Sequence, residues 1–208
     1  MENLARQTTV RIQTAKSSGS GTIVGRQGQT YRVLTSWHVV ASYRGDRTIV
    51  TGDGIVHKPL GVPRRLGDTD LAIVEFLANT EYRIALISGR SAAVGEPLLA
   101  AGFPAGAGVL AVARGFVELL LPKSFCQGYS LRYTNNVKIA MNRSRIFNGK
   151  GFLVGINDRG NDRHPGFEVY TFEDGSAPTR ELLEKMVKSS WGMPIGKYLQ
   201  FVSSHVGS

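Results

Sequence analysis

The run Val33-Leu34-Thr35-Ser36-Trp37-His38-Val39-Val40 is β-branched and apolar, and it sets one imidazole near its end. Packing alone explains that histidine poorly, because it follows a small hydroxyl residue and an aromatic one inside an otherwise buried pattern. A second buried-strand pattern, Asp68-Thr69-Asp70-Leu71-Ala72-Ile73-Val74, begins with a carboxylate. Imidazole and carboxylate are the side chains of proton transfer, and buried together they also make a hydrogen-bonded tie. A third stretch decides between those uses.

Both runs need rigid strands to hold them. Strand patterns recur at about 8 to 12 residues through the first half: Thr8–Gln13, Gly21–Val24, Tyr31–Leu34, Thr48–Thr51, Leu71–Phe76 and Pro97–Ala101. The first strand follows the N-terminal residues directly. Six short strands with turn signals between them suit one closed antiparallel barrel. The small, flexible run Gly102 to Gly108 reads as a linker. A second series follows, at Val109–Gly115, Phe116–Leu121, Ser130–Thr134, Ile146–Phe147, Phe152–Ile156 and Phe167–Tyr170, with an Asn-Gly hairpin signal at Asn148-Gly149. The period then changes: Leu182, Leu183, Met186 and Val187 share one face of a helix over Thr179–Ser190 that starts at Pro178. Gly192-Met193-Pro194 interrupts, and Ile195–Val202 reads as a closing helix or strand. The expected fold is all-β, two six-stranded antiparallel β-barrels with a short helix near the C-terminus, divided into 1–104 and 105–208.

The 208 residues, 42% apolar and 20% charged, have the balance of a globular chain. No window reaches the roughly 20 apolar residues of a membrane span, and the N-terminal residues lack the apolar core of a secretory signal. With a single cysteine, Cys126, these features point to a soluble cytoplasmic protein without disulfides. No metal-type Cys/His spacing or cofactor motif is present. The formal charge of +9 points to acidic partners or nucleic acid.

Six segments, in this order, resemble the trypsin-like serine peptidases in their short bacterial form. They are Gly19 to Val24, the His38 stretch, the Asp70 stretch, Val94-Gly95-Glu96 through Gly102-Phe103-Pro104, Leu153-Val154-Gly155-Ile156, and Gly192-Met193-Pro194-Ile195. The resemblance implies that His38 is the general base and Asp70 the acid that orients it. It also implies a serine in Gly-x-Ser-Gly-Gly-Pro, a few residues before a hairpin and a Leu-Val-Gly-Ile strand. Counted back from Asn148 without a gap, that motif falls on Ala140-Met141-Asn142-Arg143-Ser144-Arg145, so Asn142 occupies the nucleophile position. A carboxamide has no proton that a histidine base removes near neutral pH. Ala140, Met141 and Asn142 are the remnant of the oxyanion loop, which the replaced glycines are expected to have rebuilt.

The resemblance therefore implies a pseudoprotease, in which His38 and Asp70 persist as a buried tie between barrels. Its former cleft, with Lys138, Arg143 and Arg145 beside it, is expected to bind a protein partner with an acidic surface. A second reading is nucleic-acid binding through the basic stretch 123–163, where Phe125, Tyr129, Tyr133 and Phe147 are compatible with stacking but better explained as core. A third is an active endopeptidase that uses Ser144 as a displaced nucleophile. The sequence carries no signal for oligomeric state.

Overall fold

A computed structural model describes residues 2–14, 18–41, 47–104, 108–134, 144–159, 171–187 and 190–206. The first half contains α1 (Glu2–Thr8), β1 (Thr9–Gln13), β2 (Ser18–Gln27), β3 (Thr30–Ser36), α2 (Trp37–Ala41), β4 (Thr48–Val50), β5 (Val56–His57), β6 (Pro59–Arg65) and β7 (Leu71–Leu77). The second contains β8 (Pro97–Gly102), β9 (Ala111–Leu120), β10 (Leu131–Tyr133), β11 (Arg145–Asn148), β12 (Leu153–Arg159), α3 (Arg180–Val187), β13 (Ser190–Pro194) and α4 (Gly196–Val206). The chain folds as the double barrel that the all-β reading expects. β1 to β7 form a seven-stranded sheet in the order β5-β4-β1-β2-β3-β7-β6, and β8 to β13 close a six-stranded barrel in the order β10-β13-β12-β11-β8-β9.

Apolar runs in β3 and β7 are continuous because both faces of these strands are buried. Val33, Ala72, Val74 and Phe76 point into the first core, while Leu34, Leu71 and Ile73 join the larger cluster shared with Leu99, Phe147, Leu153 and Ile156 of the second barrel. Alternate residues of one strand thus fill one core and seal the junction between barrels. Each fully buried Val, Leu, Ile or Phe contributes about 1.5–3 kcal/mol.

Several expectations need correction. The strand at Pro97–Gly102 pairs with β9 and β11, so it belongs to the second barrel, and a first unit ending at 104 takes in a strand of its neighbour. β8 and β9 pair up to Gly102 and Ala111, so the run read as a linker stands between two paired strands of the second barrel, and its residues 105–107 lie outside the described residues. A helix, α1, precedes the first strand, and its buried Ala5 joins the core at the junction. β9 is one strand where two were expected. β13 supplies the sixth strand of the second barrel at the run read as an interruption, while the strand expected at Phe167–Tyr170 lies outside the described residues. Thr179 caps α3, its hydroxyl accepting from the Leu182 N–H at 3.3 Å, and Leu182 and Leu183 pack on the core. The closing segment is the helix α4.

Candidate active site

β3 and β7 pair up to Ser36 and Leu71, and the Trp37 N–H donates to the Asp70 carbonyl at 2.9 Å, one step further. There the chain coils into α2, so His38 stands on a helical turn just past the strand end. Asp70 accepts from the His38 N–H at 2.9 Å through Oδ1, and its Oδ2 lies 2.8 Å from His38 Nδ1. An ionised carboxylate only accepts, so the imidazole carries its proton on Nδ1 and keeps Nε2 as the basic nitrogen. The His38 side chain is 38% exposed and that of Asp70 6% exposed. The carboxylate is enclosed and the imidazole is exposed.

The second barrel completes this arrangement. Tyr129 donates its phenolic O–H to Asp70 Oδ2 at 2.9 Å, and the Asp70 N–H donates to the Gln127 carbonyl at 3.1 Å. Gln127 sits in the 3₁₀ turn Cys126–Gly128 with a φ of 71°, a left-handed conformation that side chains adopt at a cost of about 1–3 kcal/mol. Sequence reasoning placed Tyr129 among core aromatics. It is buried as expected, but its hydroxyl is also the third donor to the aspartate, and no spacing or neighbour in the sequence marks it.

In the second barrel, β11 runs into a tight turn. Asn148 builds the following turn, its Oδ1 accepting from the N–H groups of Lys150 at 3.1 Å and Phe152 at 3.0 Å. The residue with positive φ in that turn is Gly151, at 84°. Asn148 Nδ2 donates to Glu96 at 3.0 Å, and Glu96 also accepts a two-pronged pair from Arg90 and the Ala93 N–H. Burial pushes the Glu96 carboxyl up, but the Arg90, Ala93 and Asn148 donors together outweigh it and hold it below the ordinary glutamate value. A depressed folded value stabilises fully above the unfolded pKa of about 4.3 and is lost as pH falls through the folded one. The stability gap between wild type and Glu96→Gln, read from urea midpoints, is therefore expected to narrow from pH 7 to pH 3. A gap independent of pH contradicts this.

Lys138, Ala140, Met141, Asn142 and Arg143 lie outside the described residues. Ser144 and Arg145 are described, and both readings that placed them at the cleft need correction. Ser144 is fully buried; a Cβ added to Gly102 would lie 2.9 Å from Ser144 Cα and 3.1 Å from Ser144 Oγ. A hydroxyl so enclosed is out of reach of a peptide arriving from solvent. Arg145 is fully buried too. Its Nη2 donates to the Ser20 carbonyl and, at 3.2 Å, to Thr35 Oγ1, which itself donates to Ser20 at 2.8 Å. The guanidinium bridges the barrels and presents no charge to a partner.

The basic stretch is also less free than its sequence implies. Lys123 pairs with Asp174, whose carboxyl it holds well below the usual range, and Arg132 pairs with Glu118 at 3.2 Å. Phe125, Tyr129, Tyr133 and Phe147 are all buried, so none offers a face to a nucleobase. Among the described residues no His/Cys/Asp/Glu group is arranged to hold a metal ion, and no helix is long and apolar enough to cross a membrane.

An imidazole held by an enclosed aspartate where two antiparallel barrels meet is the architecture of the double-barrel peptidases. Residues 19–156 match the trypsin-like peptidase domain, and the chain belongs to that family. Among solved structures it is similar to a serine-to-alanine mutant of Rv3671c from M. tuberculosis H37Rv in its inactive form, with a TM-score of 0.69 and 14% identity over 99% of this chain and 90% of that one. It is also similar to the serine endoprotease from Yersinia pestis, with a TM-score of 0.69 and 19% identity over 97% of this chain. This chain spans 64% of the Yersinia protein's length. At these identities the likeness shows the fold alone. No curated protein sequence matches the chain.

Proposed function

We propose that this chain is a trypsin-like peptidase homologue that has given up acyl transfer and serves as a protein-binding or scaffolding subunit through the former cleft. One observation carries the reading. β11 starts at Arg145 and runs into the Asn148–Gly151 turn, and counting back along the sequence from that turn supports the reading of Asn142 at the family's serine position. His38 retains a basic nitrogen, but an amide at that position gives it no oxygen to activate, and the Ser144 hydroxyl is enclosed. The pair that once oriented a base then acts as a tie, with Asp70 bonded to both barrels. The partner is a protein with an acidic surface, and Lys138 and Arg143, cations close to Asn142 in the sequence, are the groups expected to meet it. A reducing, cytoplasmic setting fits the single cysteine.

Incubation with a mixed peptide library, followed by mass spectrometry, tests the reading. Intact peptides are expected; a cleavage series that vanishes in His38→Ala would overturn it.

A further inference from the structure

One cation of the first barrel is partly buried with nothing to balance it. Arg11 stands on β1, opposite Ser20 of β2 and Val50 of β4. Its side chain reaches the second barrel: the guanidinium carbon lies 5.9 Å from the centre of the Phe103 ring, and Nη1 lies 3.7 Å from where a side chain on Gly108 would begin. Nε is enclosed and has no hydrogen-bond partner among the described residues. Nη1 and Nη2 are neither enclosed nor hydrogen-bonded among them, and no described carboxylate forms an ion pair with Arg11. Arg145, fully buried, is by contrast bonded to Ser20 and Thr35. Ser20 also relates Arg11 to the nucleophile loop. Its hydroxyl accepts from the Phe103 N–H at 2.8 Å, and a Cβ added to Gly102 would lie 3.1 Å from Ser20 Oγ and 2.9 Å from Ser144 Cα. Arg11 is thus one strand away from the contact with Ser144, which follows Asn142 by two positions.

An arginine whose Nε has left water without a new partner has lost hydration that no bond replaces. An anion at its free end offsets that loss, and the attraction is stronger against protein than in open water. With Phe103 against one face of the guanidinium, the free N–H groups of Nη1 and Nη2 point outward in its plane. That is the geometry of a two-pronged bond to a planar carboxylate. We infer that Arg11 is the anchor for one carboxylate side chain of an acidic peptide segment of the protein partner, received where the barrels meet beside Phe103. The inference rests on the partner-binding reading and adds to it a residue that selects the partner. A nucleic-acid strand is the poorer match, because it brings a negative charge at every nucleotide and Arg11 answers only one of them.

The test uses the full chain with isotope-labelled arginine side chains and three fluorescein-labelled probes: a peptide alternating Glu and Gly, a matched peptide alternating Gln and Gly, and a short oligothymidylate. An enclosed Nε–H exchanges slowly with water, so NMR at neutral pH is expected to show one such signal that Arg11→Met removes. The Glu peptide is expected to move that signal saturably, more weakly at about 200 mM salt than at about 50 mM, and the Gln peptide to leave it in place. By anisotropy, Arg11→Met and Arg11→Gln are expected to bind the Glu peptide about tenfold more weakly than the wild-type chain. Arg11→Met keeps an apolar stem against Phe103 and removes an unpaired charge, so its urea midpoint is expected to be no lower than that of the wild type. Four results would overturn the inference: no Nε–H signal that Arg11→Met removes, a signal that the Glu peptide leaves in place, equal affinity in the variants, or tighter binding of the oligothymidylate. Binding that both Arg11 variants retain and Lys138→Gln/Arg143→Gln abolishes would overturn Arg11 as the anchor and leave the partner-binding reading standing. Hydrolysis of the peptide, followed by mass spectrometry in the same samples, would overturn the non-catalytic reading, while the Arg11 dependence would still decide the anchor.

Discussion

Replacing Arg145 with alanine is expected to cost about 2–5 kcal/mol of folding stability, a large share of the roughly 5–15 kcal/mol that holds a domain folded. The side chain is fully buried and its fork closes the gap between β2, β3 and the start of β11. Truncation leaves a cavity and removes the donor that Ser20 shares with Thr35. Arg145→Met separates the two contributions: it refills most of the volume without a charge, and Thr35 Oγ1 still donates to Ser20. It is therefore expected to cost clearly less than Arg145→Ala, as replacements of buried ions by apolar groups do. Urea midpoints at constant m-value give both numbers. A loss below about 0.5 kcal/mol for alanine, the range of surface changes, would return this arginine to the exposed surface.

Asp70→Ala is expected to cost about 2–4 kcal/mol, because it strips three donors, the His38 N–H, the His38 Nδ1–H and the Tyr129 O–H, of a charged acceptor. Tyr129→Phe removes one of those bonds and is expected to cost about 1.5–3 kcal/mol. The coupling distinguishes a tie between barrels from a local catalytic remnant. If Tyr129 and Asp70 act on one bond across the junction, Tyr129→Phe costs much less in the Asp70→Ala background than alone. Full additivity would mean that the aspartate holds nothing across the junction.

Much of the fold was legible because its signals are local. Alternating or doubly buried runs such as Leu71–Leu77, and the turn at Asn148, declare themselves in a few residues. Misreadings arose where pairing is decided at a distance. β8 looks like the last strand of the first barrel by sequence order, yet its partners are β9 and β11. β6 escaped notice because Pro59, Gly61 and Pro63 break the strand pattern; a register shift between Leu60 and Arg64 lets the edge strand carry them.

The site divides in the same way. His38 and Asp70 were found because an imidazole and a carboxylate in apolar runs are conspicuous, and the structure brings them together. Arg145 was misplaced because arginine is almost never fully buried unless paired, and the partners that bury it, the Ser20 carbonyl and Thr35 hydroxyl, lie over a hundred positions earlier.

The central claim concerns the nucleophile, and a fluorophosphonate probe, which reacts covalently with a base-activated serine, tests it most directly. No labelling is predicted for the wild-type chain at neutral pH, under conditions where an active trypsin-like peptidase is fully modified. Labelling that disappears in both His38→Ala and Ser144→Ala would contradict the account, because it would mean that His38 activates the enclosed Ser144 hydroxyl.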